Sequence, residues 1–167
     1  MNAKKLTILI TITGITLFIA SLTQKCYCLG DQCGDSIAAF LFGWLGVLLE
    51  LGHVATFIME KIQGQDTIFN YKIGATLSWL ANPLIIISFV TLRFSPKTTI
   101  VISVLSTLLI LSFLLFRYVI ANEAGHYNEI TSYKLGYYLW LLSSLTMLIG
   151  SIYLATKRTD NEKKNAL

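Results

Sequence analysis

The chain has 167 residues, of which 54% are hydrophobic and 13% charged, with a formal net charge of +4. Soluble domains average roughly 25% charged residues, and burying this many apolar runs in a soluble core would need a larger protein around them. The composition therefore argues against a soluble domain and against a basic nucleic-acid-binding stripe. It points to an all-α membrane protein whose cations sit at ends and turns.

Lys4 and Lys5 precede an apolar run over 6–22. Apolar regions of signal peptides usually span about 7–15 residues, so the run reads as an uncleaved first span with its lysines in the cytoplasm. Cleavage after Ser21 is the alternative and leaves the rest of the topology unchanged. Lys25, where a lipoprotein signal needs a small residue before Cys26, argues against lipidation.

The polar stretch Thr23 to Ser36 holds all three cysteines, Cys26, Cys28 and Cys33. On the outer side of the membrane disulfides persist. Cys26–Cys33 or Cys28–Cys33 would close a small ring and leave one thiol over, whereas Cys26–Cys28 would be strained.

Segment 37–59 is ambiguous: it is apolar and long enough to span, yet it carries Glu50 and His53 and is interrupted by Gly43, Gly46 and Gly52. A polar connection, Gln63 to Lys72, follows. Runs 73–94 and 99–120 read as clear spans joined by the basic turn Arg93-Phe94-Ser95-Pro96-Lys97. Ala121 to Tyr133 reads as a polar, acidic loop and 135–156 as the last span. Residues 1–156 thus form a single transmembrane helical domain, and 157–167 a charged cytoplasmic tail without an apolar face, expected to be disordered.

Charge ranks the topologies, because Lys and Arg are enriched on the cytoplasmic side. If 37–59 does not cross, four transmembrane helices leave both termini cytoplasmic. Lys4, Lys5, Arg93, Lys97, Lys157, Arg158, Lys163 and Lys164 then lie inside, eight of the 13 basic residues. The segment becomes an extra re-entrant or interfacial one on the outer face, with its polar groups covered by protein. Five transmembrane helices are the alternative, and they divide the cations almost evenly.

Three stretches, Gly43-Trp44-Leu45-Gly46, Trp79-Leu80-Ala81-Asn82-Pro83 and Leu135-Gly136-Tyr137-Tyr138-Leu139-Trp140-Leu141-Leu142, occur in this order. Together they resemble a group of small, uncharacterised bacterial polytopic inner-membrane proteins with Trp-Leu-Ala-Asn-Pro and Gly-Tyr-Tyr-Leu-Trp signatures. This chain is expanded relative to that group around Glu50 to Lys72. The resemblance implies a bacterial inner (plasma) membrane location and brings no activity with it.

Four features compete as sites. Asn82-Pro83 inside a span predicts a helix kink, since proline removes a donor and displaces a carbonyl; it serves as a hinge, a polar lining or plain packing. Glu50-Leu51-Gly52-His53 and Glu123-Ala124-Gly125-His126 are both Glu-x-x-His. On a helix, i and i+3 share a face, and paired motifs of this kind supply ligands in dimetal bundles. Glu50, His53, Glu123 and His126 are thus metal candidates, against the plainer reading of solvated polar residues. The Cys-x-Cys-x4-Cys loop invites comparison with membrane thiol oxidoreductases but lacks their Cys-x-x-Cys pair and second relay pair. Arg117, Tyr137, Tyr138 and Trp140 read as interfacial anchors.

No Gly-rich phosphate loop or hydrolase triad is visible in the sequence. The expected function is that of a non-enzymatic membrane protein acting through helix contacts, with immunity proteins against pore-forming toxins as one concrete form. The expected partners are the lipid bilayer and another membrane protein or a toxin. A small transporter or channel subunit ranks second, and a membrane oxidoreductase or metal enzyme third. No cofactor is expected beyond the metal alternative.

Overall fold

The structure is a computed structural model that describes residues 3–64, 74–120 and 126–165. Among them are five helical segments long and apolar enough to cross a membrane. These are α1 (Ala3–Leu22), α2 (Ser36–Ile62), α3 (Ala81–Phe94, entered through a 3₁₀ segment Thr76–Leu80), α4 (Pro96–Ser112, leaving through a 3₁₀ turn Phe113–Leu115) and α5 (Leu135–Asn165). Large apolar side chains such as Ile8, Leu48, Val90, Val101 and Ile149 are more than half exposed. The buried positions hold, beside apolar residues such as Ile85, Leu92 and Ile110, a series of small polar ones: Ser88, Thr99, Ser103, Ser106, Ser143, Ser144 and Ser151. That distribution inverts the soluble pattern and matches helices solvated by lipid, where close packing of small residues drives association. The chain is a membrane protein.

The bundle is formed by α1, α3, α4 and α5, and small residues determine who touches whom. Ser143 Oγ donates to the Gly14 carbonyl at 2.9 Å and ties α5 to α1. A Cβ on Gly14 would stand 2.9 Å from the Met147 sulfur, and one on Gly150 would run into Ile10. Between α4 and α5, Ser144 Oγ bonds with Thr107 Oγ1 at 2.8 Å and Ser106 Oγ at 3.1 Å. The turn from α3 to α4 is a single residue: Ser95 is extended at φ −141°, as residues before proline are, and its hydroxyl caps α4 by accepting from Thr98 N.

The two polar loops are not loops, and the all-α expectation is corrected here. They form β1 (Lys25–Leu29), β2 (Gln32–Asp35), β3 (Tyr118–Ile120) and β4 (Tyr127–Tyr133), an antiparallel sheet in the order β2-β1-β4-β3. Tyr27 pairs with Tyr133 and Cys28 with Ser132, so the connection after α1 is zipped to the one before α5. The β1–β2 hairpin turns at Gly30-Asp31, with Gly30 at φ 61°, a conformation glycine adopts without cost. Tyr118-Val119-Ile120 had been counted in the 99–120 span on hydropathy alone. β-branched and aromatic residues also suit a pleated, half-buried surface, and pairing with Tyr127–Glu129 makes them a strand.

Two further boundaries move. α5 runs on to Asn165, so the charged tail is helical over most of its length; no Gly or Pro lies beyond Ser151 to stop it. Segment 37–59 is the middle of one continuous helix of 27 residues, with only Ser36, Val47 and Glu50 buried. Its glycines do not break it.

Aromatic rings fill the end of the bundle under the sheet. Phe113 packs against Tyr27, Tyr133 and Tyr137 at centroid distances of 5.5, 5.7 and 6.0 Å. Tyr137 and Tyr133 hydroxyls donate to the carbonyls of Ile110 and Phe113, at 3.0 and 3.2 Å. Each carbonyl also accepts a backbone N–H, Ile110 from Phe113 and Phe113 from Phe116, so the phenols add a second bond where α4 passes into its 3₁₀ turn. Replacing Gly150 with Leu should separate α1 from α5 and destabilise the bundle by about 1–3 kcal/mol. Thermal melting in detergent checks this against the exposed control Ile149→Leu, which should melt as the unmodified protein does.

Candidate site between the second helix and the bundle

α2 is held by one narrow edge. Gly43, Gly46 and Glu50 recur at spacings of three and four, so they share a helical face. That face lies along the 3₁₀ segment. A Cβ on Gly43 would enter the Trp79 ring, and one on Gly46 would stand 2.8 Å from Thr76 Cγ2. The order of contact runs backwards along the partner: Gly43 meets Trp79, Gly46 meets Thr76, and Glu50 meets Gly74. His53 follows, with its Nδ1 3.5 Å from the Tyr127 hydroxyl at the start of β4. α2 begins directly after β2 and meets the sheet again at Tyr127.

Glu50 is 1% exposed. Its two carboxyl oxygens accept from the backbone N–H groups of Gly74 at 3.2 Å and Thr76 at 3.5 Å. These amides head the segment that becomes α3, where helical N–H groups have no partner within the helix. Glu50 thus acts as an N-terminal cap supplied by another helix. Gly74 has φ 126°, and a side chain there would also strike Phe116; this position requires glycine. A second bond, from Trp79 Nε1 to the Phe40 carbonyl at 2.8 Å, closes the same seam.

Asn82 and Pro83 fall in the first turn of α3, directly after the 3₁₀ segment. Proline has no N–H to donate, and the pair lies where the chain passes from 3₁₀ to α helix. Cys28 and Cys33 form a disulfide across the β1–β2 hairpin. Cys26 keeps its thiol and lies beside the Ser36 hydroxyl. Burial pushes the thiol up from 9.0 to about 11, an effect the neighbouring Ser36 hydroxyl only partly offsets. Burial also raises the Tyr27 phenol, to about 12. Of the four metal candidates, Glu50 and His53 have the partners described, His126 is exposed just before β4, and Glu123 lies outside the described residues. Among the described residues no three His, Cys, Asp or Glu side chains gather at one point.

Between α2 and the bundle lies a cavity of about 370 Å³. It is bounded by the end of α1 (Ser21, Leu22), by β1 (Cys26, Tyr27), by β3 (Val119, Ile120), by the 3₁₀ segment and by the first turns of α5. The three stretches that carried the sequence resemblance meet here. Gly43, Leu45 and Gly46, then Trp79 and Asn82, then Gly136 and Trp140 all line the cavity. Reading the sequence as separate spans hid this, because Thr76, Ser36 and Trp140 carry no ligand motif. The Gly43-x-x-Gly46 spacing was the available signal, since small residues at i and i+3 admit a close neighbour. The fold defines a polytopic membrane protein with a disulfide-bonded sheet capping one end of its bundle. Comparison with known families, with characterised proteins and with solved structures found no match to this chain.

Two outcomes follow. Glu50→Ala leaves two amides at the head of α3 unpaired and should cost about 1–3 kcal/mol per amide left buried; Glu50→Gln, which keeps an acceptor oxygen, should retain most of the stability by thermal melting. For Cys26, the raised pKa makes the folded state hold its proton longer than the unfolded chain. Stability from this group is complete below pH 9 and is lost as pH rises towards 11. Thiol labelling should therefore be slow at pH 8 in the folded protein and fast after denaturation, and Cys26→Ala should flatten the alkaline loss of stability.

Proposed function

We propose that this is a non-enzymatic integral membrane protein that works by contact with a helix of another membrane protein. In this reading four helices, α1, α3, α4 and α5, cross a bacterial inner membrane with both termini cytoplasmic, and α2 rides on the outer side. The lysine and arginine distribution supports that topology. So does the backward order of α2's contacts, which carries it from Trp79 to Gly74 and on to Tyr127.

The observation that carries the functional reading is how little of α2 is buried. Only Ser36, Val47 and Glu50 are buried, while Phe42, Trp44, Leu48, Leu51, Ile58 and Met59 are exposed. A helix attached by one edge offers the remainder of its apolar surface to a neighbour in the bilayer, where packing is the attraction. The groups that could have carried chemistry serve the fold: Glu50 caps α3, Cys28 and Cys33 are joined, and the Cys26 thiol is held far above the range of a reactive thiolate. An immunity protein that occupies a toxin helix is a concrete instance.

A photo-crosslinking residue at Leu48 in living cells tests this. The expected product is a discrete heavier adduct containing a second membrane protein, absent when the probe replaces Val47. Adducts with lipid alone at both Leu48 and Phe42 would defeat the proposal. A cysteine at Gln63, in a Cys26→Ala background, should label with a membrane-impermeant reagent from outside the cell.

A further inference from the structure

We propose that the cavity between α2 and the bundle is a binding site for one bilayer lipid, taking the upper part of an acyl chain together with its ester carbonyl. The proposal does not depend on the partner reading above. Its first support is the lining. None of the described lining residues is Asp, Glu, Lys, Arg or His, so the part of the ligand held inside is neutral. Most of the wall is apolar, from Phe40, Leu49, Ala75, Phe113 and Val119. The volume of about 370 Å³ lies within the usual range for small-molecule sites.

The second support is polar. Thr76 is only 9% exposed, and its Oγ1 lies buried in this wall without a hydrogen-bond partner. The indole Nε1 of Trp140, also a wall residue, is buried and unpartnered as well. Buried donors of this kind cost free energy unless something bonds to them. An indole N–H can only donate and a hydroxyl can donate, so the group that satisfies them is an acceptor. A neutral acceptor on an apolar chain is an ester carbonyl.

The third support is where the cavity opens and at what level it sits. Phe42 and Leu45 line it and are also 62% and 39% exposed on the apolar surface of α2. The mouth is thus continuous with the surface that faces lipid. The cavity lies where α1 ends and α5 begins under the sheet, which is the level of the membrane interface. Lipid esters are found at that depth, so a chain can enter sideways without its headgroup leaving water.

Native mass spectrometry of the full chain released from nanodiscs of a single phosphatidylcholine tests this. The expected result is one retained phosphatidylcholine per protein. Thr76→Val removes the hydroxyl without changing shape and should reduce retention about fivefold, while Ala39→Leu should fill the cavity and abolish it. Circular dichroism establishes that both variants are helical, and an Ala39→Leu variant that fails to fold leaves the Thr76→Val comparison decisive. No retained lipid, retention equal in both folded variants, or exclusive retention of a co-purified isoprenoid would each overturn the proposal.

Discussion

In a hydrocarbon solvent every backbone N–H and C=O must find its partner within the protein. That constraint explains the seams of this molecule better than any single hydrophobic contact. Where α3 begins, Glu50 reaches across from α2 to the amides of Gly74 and Thr76. Where α4 ends, Tyr137 and Tyr133 reach across to the carbonyls of Ile110 and Phe113. In the first case one element completes the terminus of another, and in the second it adds a bond to carbonyls that already accept a backbone N–H. Assembly and the completion of secondary structure are one event here.

This division of labour bears on the residues with chemical potential. A carboxyl used as a cap must stay in place, and a thiol beside Ser36 under the sheet must remain protonated over the ordinary pH range. The reactive residue types are therefore concentrated at joints. The roomy part of the molecule, by contrast, is lined mostly by apolar groups, with no Asp, Glu, Lys, Arg or His among its described lining residues. Such a division favours recognition over catalysis, and it puts the recognisable surface on α2 and the cavity beside it.

Much of the architecture was legible in the residues. Apolar runs located all five long helices, and the Gly-rich interruption of 37–59 signalled something unusual that proved to be an edge-held helix. The chain does turn within Arg93–Lys97, but over Ser95 alone, because proline restricts the residue before it and starts α4 at once. What was missed were the pairings. Nothing local in Lys25–Leu29 announces Tyr127–Tyr133 as its partner, since β pairing depends on neighbours distant in the chain. Hydropathy likewise carried 99–120 past the true end of α4, as Tyr118-Val119-Ile120 suits a strand and a span equally. The cavity was invisible for the same reason: its walls come from eight separate helical and strand segments.

The strand order β2-β1-β4-β3 has a consequence for biosynthesis. α1 packs chiefly against α5, far later in the chain, and the strand that follows α1 is completed only by residues near 130. Until β4 and α5 have been translated, α1 has neither its main neighbour nor its completed sheet. An early-inserted helix must wait in the bilayer, with Gly14 and the flank around it facing lipid, while the intervening segments are delivered. Chains that stop short of α5 are thus open structures, and quality-control proteases that survey membranes would meet them in that form.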